Sequence, residues 1–277
     1  MRTTVSVLDV AASGAWLPGA ERIRLTRRGS PVSLPAFRSD PRERAGLPAS
    51  LRRRIDRFSA VAYLAIADVL GALSAQQRPA SDRIGLFLAN TRAGWSYGEP
   101  ELRALVERGV AAMRAYQATA WFPAAAQGEA SIGLDLRGCS KTAAGRQSGF
   151  AEALWLARDA LERDAVEVAV VGAVESLAND FALRDWAPDE PLPSDGPAEG
   201  AVVFAIRRWM PAGPRAIASL RDLRFSPPAA AGSESDWVPT LSAAARLLAA
   251  LGRPGTGVSI RLGGGFSITV DTHESEH

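Results

Sequence analysis

Histidine is almost missing from this 277-residue chain: there are two, His273 and His277, both within the last five residues. The ending DTHESEH is polar and reads as a frayed tail, so the folded body has no imidazole. A Ser-His-Asp or Cys-His arrangement needs an imidazole held beside its nucleophile, and the chain cannot easily build one. Cysteine occurs once, as Cys139, which excludes a disulfide or a cysteine-based metal site within the chain. No metal or organic cofactor is expected. Lysine also occurs once, as Lys141, among 32 basic residues, a bias that coding preference explains. No apolar run approaches the roughly 20 residues of a membrane helix. The opening MRTTVSVLDVAASGAWLPG has too short an apolar stretch for a signal peptide, and Asp9 interrupts it. It reads as a first core strand, and the chain as cytoplasmic.

What is present is ordinary for a soluble globular protein, 47% hydrophobic and 22% charged. Continuous apolar runs at 4–12, 83–90, 166–174 and 200–206 read as strands buried on both faces, the mark of a parallel sheet covered by helices. Helical stripes lie between them: Ile55, Phe58, Ala62, Ala65, Ile66, Val69 and Leu73; then Leu102, Leu105, Val106 and Met113; then Phe150, Ala153, Leu154, Ala157 and Leu161. All three are read as core surfaces. Strand and helix alternate, so the class is α/β. The loop SPPAAAGSESD (226–236) precedes one more helix (237–251) and two short strands around GGGF (263–266). GGGF lacks the order of a phosphate loop and reads as a turn.

Charge is uneven. Residues 1 to 57 hold twelve Arg against five Asp or Glu, and Arg52, Arg53 and Arg54 are consecutive. A basic face of this kind suits an acidic partner, although a solvated helix start explains any single arginine. Nucleic acid is not indicated, because acidic residues balance the total and no binding motif occurs. The stretch KTAAGRQSGFAEAL (141–154) turns from a strand end into a helix, as at a catalytic turn, yet presents Arg146.

Several segments resemble the N-terminal half of β-ketoacyl-ACP synthases, of the thiolase fold. RRRIDRFSAVAYLAIADVL (52–70) is similar to the family's Asp-Arg-Phe helix, and RIGLFLANTRAGW (83–95) to its strand and Gly/Thr loop. WFPAAAQGEASIGLDLRG (121–138), VVGAVESL (170–177) and PSDGPAEGAVVFAIRR (193–208) follow in the family's order. The resemblance implies a thiolase-like layered α-β-α half with a mostly parallel or mixed central sheet over 1–225. Residues 226–277 would form a loop plus a remnant helix and closing strands of a shortened second half. The family places its nucleophilic cysteine as Cys-x-Ser-Gly at a helix N-terminus, where the dipole favours a thiolate. Aligned on Ser148-Gly149, that position is Arg146, or Gln147 after a one-residue shift. Cys139 falls seven residues earlier and is read as a small buried hydrophobe. Arg146 would place a cation at the positive helix end, costing about 0.3–1 kcal/mol.

The family's two catalytic histidines belong to the half that is mostly absent. Nucleophile and histidines missing together resemble a chain-length factor, a ketosynthase-like subunit that pairs with an active ketosynthase and shapes its acyl tunnel. The short form resembles the partners of aryl polyene pathways. On this reading Tyr116, Trp121 and Phe122 are candidates for the tunnel gate, with ordinary packing as the alternative. Arg52, Arg53 and Arg54 are candidates for docking an acyl carrier protein, whose phosphopantetheine arm the ketosynthase would mainly hold. A truncated half would expose an apolar face and require a heterodimer interface above about 2,000 Å². The other readings are an acyltransferase or thioesterase using Ser148 or Ser140 with Lys141, and a homodimeric carrier-docking scaffold.

Overall fold

The computed structural model describes residues 7–27, 30–145, 148–177, 179, 183, 197–210, 216–225, 240–253, 255–263 and 265–272. Its strands are β1 (Leu8–Trp16), β2 (Arg22–Arg27), β3 (Ser30–Pro35), β4 (Ile84–Asn90), β5 (Ser140–Ala144), β6 (Val168–Ser176), β7 (Glu199–Arg208), β8 (Ala218–Phe225), β9 (Val258–Gly263) and β10 (Phe266–Thr272). The helices are α1 (Ala49–Arg52), α2 (Arg57–Ala72), α3 (Trp95–Arg108), α4 (Gln117–Ala120), α5 (Ala125–Gly133), α6 (Gly149–Glu162) and α7 (Thr240–Leu251).

Eight strands form one sheet in the order β5-β4-β6-β7-β1-β8-β10-β9, and β2 and β3 form a separate hairpin. The sheet is mixed. β4 runs parallel to β5 and β6, while the remaining pairs are antiparallel. The continuous apolarity that suggested a parallel sheet has a different cause in β7 and β1, which are covered on both faces although their pairing is antiparallel. Period-two alternation divides each central strand between two cores. In β6, Val168 and Val170 face the core of α2 and α5, whereas Ala169 and Val171 face the core of α6 and α7.

Of the three expected stripes, those of α2 and α6 are buried as read. Asp56 starts α2, its side chain accepting from the Ser59 amide. Gly14 lets α2 approach β1, since a Cβ there would lie 2.8 Å from Val69 Cγ2 and 3.2 Å from the Ala65 carbonyl oxygen. The third stripe is corrected. On α3 the buried residues are Gly98, Glu101 and Ala104, while Leu102 and Val106 point outward and Val106 is 86% exposed. Glu101 is turned inward by Arg114, which holds it at 2.6 Å. Cys139 is also corrected: it is exposed, lying just before the edge strand β5.

Residues 240–272 add α7, β9 and β10. Helix α7 packs on β6, β7 and β9, and its buried residues share one core with those of β9 and β10. Of GGGF, Gly263 ends β9 and pairs with Phe266 at the start of β10, and Gly265 has φ 79°. The outer face of β8-β10-β9 is polar: Arg221 and Ser259 flank Thr269, and Arg224 and Arg261 flank Ser267. The apolar sheet face expected from truncation is therefore not exposed among the described residues.

Candidate functional site

In open α/β sheets the crevice beyond the carboxyl ends of parallel strands is the usual ligand position. Here it is bounded by the ends of β4, β5 and β6. β4 ends at Asn90, whose Nδ2 donates to the Pro123 carbonyl at 2.9 Å. β5 ends at Ala144 beside Asn90. Beyond it the Gly145 carbonyl accepts from Thr240 Oγ1 at 3.0 Å, which ties α7 to the end of β5. β6 ends at Glu175 and Ser176. The Thr91 hydroxyl donates to Glu175 Oε1 at 2.5 Å. Burial pushes the Glu175 carboxyl up to about 7, against the opposing pull of the Thr91 hydrogen bonds and the nearby Arg92 charge. Ser176 Oγ lies 3.1 Å from Ser96 Oγ and 3.3 Å from Glu199 Oε1. Glu199 in turn accepts from Arg57, with Nη2 at 2.6 Å from Oε2, and from the Phe37 amide at 3.0 Å.

Arg146 and Gln147, where the resemblance places a nucleophile, lie outside the described residues, as do His273 and His277. Cys139 stands at the opposite end of β5 from Gly145, roughly 20 Å away at about 3.3 Å per residue. The Ser148 hydroxyl donates to Glu152. Ser140 and Lys141 are neighbours on β5, so their side chains leave opposite faces of the strand, and Ser140 Oγ donates to the Gly138 carbonyl at 3.2 Å. Neither serine has a hydrogen bond to Lys141.

A groove of about 670 Å³ lies between α3 and α4, lined by Trp95, Leu102, Val110, Met113, Gln117 and Trp121 among others. The three candidate gate aromatics part company here. Trp121 lines the groove and packs edge to face with Phe122 at 6.5 Å, each 54% exposed. Tyr116 instead turns its ring onto Tyr97 at 5.1 Å and buries its hydroxyl. Arg52, Arg53 and Arg54 are all exposed at the end of α1. Arg54 is committed to Glu129 of α5 at 2.8 Å, and Arg52 Nη2 reaches the Leu47 carbonyl at 3.4 Å. Sequence reading missed the Asn90, Thr91 and Glu175 cluster and the outward turn of α3. A carboxylate ending the apolar run VVGAVES is the signal that was available for Glu175.

Residues 35–202 match the family model for the N-terminal domain of β-ketoacyl synthases. A protein of Streptomyces virginiae named as a polyketide β-ketoacyl synthase is 32% identical over 224 residues, which are 74% of this chain and 54% of that protein. The chain thus spans about half the length of this curated relative. Among solved structures, a type II polyketide ketosynthase complex with its acyl-carrier protein (AntDE:AntF) gives a TM-score of 0.66 at 24% identity, covering 80% of this chain and 70% of the other. The ishigamide ketosynthase/chain length factor gives 0.60 at 20%, covering 77% and 65%. The ketosynthase ApeO in complex with its chain length factor ApeC, from Xenorhabdus doucetiae, gives 0.64 at 14%, with coverage of 96% and 99%. At these identities the structures speak for a shared ketosynthase-like fold.

Proposed function

The chain belongs to the β-ketoacyl synthase family through its N-terminal domain, and from that premise we propose that it is a non-catalytic, chain-length-factor-like subunit. It pairs with an active ketosynthase and shapes the acyl tunnel of polyketide or aryl polyene synthesis. The observation that carries this is the outward apolar face of α3. Leu102 and Val106 are one helical turn apart, and Val110, Trp121 and Phe122 continue the patch. A patch of this kind on a soluble protein marks an interaction surface.

The patch joins the open edge of the sheet. β5 has a strand on one side only among the described residues. Asn90 bridges its end to Pro123, next to Phe122, and Thr142 Oγ1 donates to Gln127 Oε1 of α5 at 2.6 Å. An edge strand beside an apolar helix face suits a large heterodimer interface. In this reading Trp121 is the gate residue on the groove, Phe122 supports it from the rim, and Tyr116 braces α4 from beneath. Arg52 and Arg53 offer the free charge for an acidic carrier protein. The domain division follows the same reading, 1–225 as the ketosynthase-like part and 226–277 as the shortened second half.

The test is co-purification. The tagged chain, expressed with the ketosynthase encoded beside it, is expected to elute as a one-to-one complex that elongates acyl carrier substrates, while the chain alone does not. A stable homodimer that ignores the ketosynthase would overturn the reading. The Ser/Lys alternative is less favoured, because Ser148 is engaged by Glu152 and Ser140 by Gly138.

A further inference from the structure

A second set of buried polar groups lies beneath the groove. Asp56 Oδ1 accepts from the Ser59 amide at 3.0 Å. Asp56 Oδ2 has no hydrogen bond of good geometry, and neither have the buried hydroxyls of Ser59 and Tyr116, although the Ser59 hydroxyl lies near enough to act on both Asp56 and Tyr116. Gly94 makes a further approach possible. A Cβ there would fall 2.5 Å from Asp56 Oδ2 and 2.2 Å from the Ala120 carbonyl oxygen, so both oxygens sit against the same bare Cα. Ala120 ends α4, a four-residue helix, and carbonyls at a helix end have no intrahelical partner. Two acceptors sharing a dry interior are unfavourable unless one carries a proton. Of these two oxygens only the carboxyl can carry it, and the Ser59 hydroxyl is the rival donor to that carboxyl. Burial raises Asp56 to about 6, while its Ser59 bonds and the Arg42 charge pull the other way.

We propose that Asp56 is a proton-operated latch on the groove: as the neutral acid it donates from Oδ2 to the Ala120 carbonyl and holds α4, with Trp121 just beyond it, against the start of α2. On ionisation the proton leaves to solvent, the contact is lost, and the groove wall around Trp121 shifts. The charged and titratable groups around Asp56 are few. Arg42, paired with Asp40 at 2.6 Å, comes from the loop before α1. Tyr97 comes from α3 and carries Arg114 over its ring at 5.2 Å. Tyr116 precedes α4, with Glu129 of α5 beyond it, held by Arg54. Arg57, next in sequence, turns to Glu199. Arginines and tyrosines keep their protonation state between pH 5 and 8, and no histidine occurs before residue 273. Glu175 titrates in the same window but at the strand ends, so it serves as the control.

The full chain labelled with 5-fluorotryptophan provides the test by ¹⁹F NMR, with the Trp121 resonance assigned by its loss in W121F. That resonance is expected to move between pH 5 and 8 with a midpoint near 6. In Asp56→Asn, which can still cap and donate but cannot ionise, it should stay at its low-pH position, and in Glu175→Gln it should move as in the parent. A resonance that does not titrate in the parent, or titrates in Asp56→Asn, or stops titrating in Glu175→Gln, would overturn the latch. If Asp56→Asn fails to fold by circular dichroism, Asp56→Ser, another helix cap without a charge, must abolish the movement instead. The latch belongs to this chain alone, so its failure leaves the partner reading standing, and the reverse also holds.

Discussion

Glu175 and Asp56 are carboxyls placed where a charge is costly, and each therefore couples stability to pH. The Glu175 carboxyl rises from 4.5 to about 7 on folding and that of Asp56 from 3.8 to about 6, in both cases chiefly by burial. Between those values the folded chain keeps a proton that the unfolded chain has released. The stability this provides is fully present below the lower value and is lost as pH rises through the upper one. Urea unfolding at pH 5, 6, 7 and 8 should therefore show stability falling with pH, and the fall above pH 6 should belong to Glu175. Glu175→Gln should flatten that segment, removing a slope of at most about 1.4 kcal/mol per pH unit. An unchanged slope in Glu175→Gln would mean that the group does not titrate there. The slope is the proper readout, because the variant also changes the surroundings of the nearby Arg92. Neither carboxyl declares itself by residue type. Asp56 starts α2, and only the position of Gly94 reveals its second oxygen.

At the scale of elements, Gly14 and α3 show what periodicity can and cannot tell. The stripe of α2 was legible because every residue of it meets the sheet or α5. The stripe of α3 has the same period but the opposite orientation, because a salt bridge to Arg114 draws Glu101 inward and leaves Leu102 and Val106 outside. Hydrophobic spacing identifies a face; it does not say whether that face meets the chain's own core or another protein. The hairpin β2–β3 was missed for a related reason: exposed arginines alternate with half-buried Ile23 and Leu25, and such short runs give little signal. Two predictions belong here. Val106→Asp, at a site 86% exposed, should change stability by no more than about 0.5 kcal/mol yet weaken capture of the ketosynthase. Normal pairing by a folded Val106→Asp chain would remove α3 from the interface. Gly14→Ala should lower unfolding free energy by about 1–3 kcal/mol, since its methyl must displace Val69 and the Ala65 carbonyl. A Tm equal to the parent's would show that α2 can yield at no cost.

For the whole molecule, what residues 240–272 cover decides where a partner could bind. Helix α7 packs on β6, β7 and β9, and the outer face of the C-terminal strands carries Arg221, Arg224 and Arg261. That outer face is thus compatible with water, and in the proposed reading the partner surface is α3, Trp121 and the β5 edge. The chain expressed alone should self-associate through that region, and co-expression with the ketosynthase should suppress it; a monomer by light scattering would count against the interface. The carrier protein would meet a different surface. Net charge is only +2 at pH 7, so any attraction for an acidic carrier must come from local arrangement rather than from the total. Arg54 is held by Glu129, which leaves Arg52 and Arg53 as the pair able to turn toward a partner. Reversing both to Glu should weaken carrier binding by about 3- to 30-fold at low ionic strength, as expected for two rim charges worth a few tenths to about 1 kcal/mol each. The difference should shrink at high salt as screening shortens the reach of the field. Equal affinity of parent and double variant in titration calorimetry at low salt would exclude this face, and the carrier would then have to dock on the partner subunit alone.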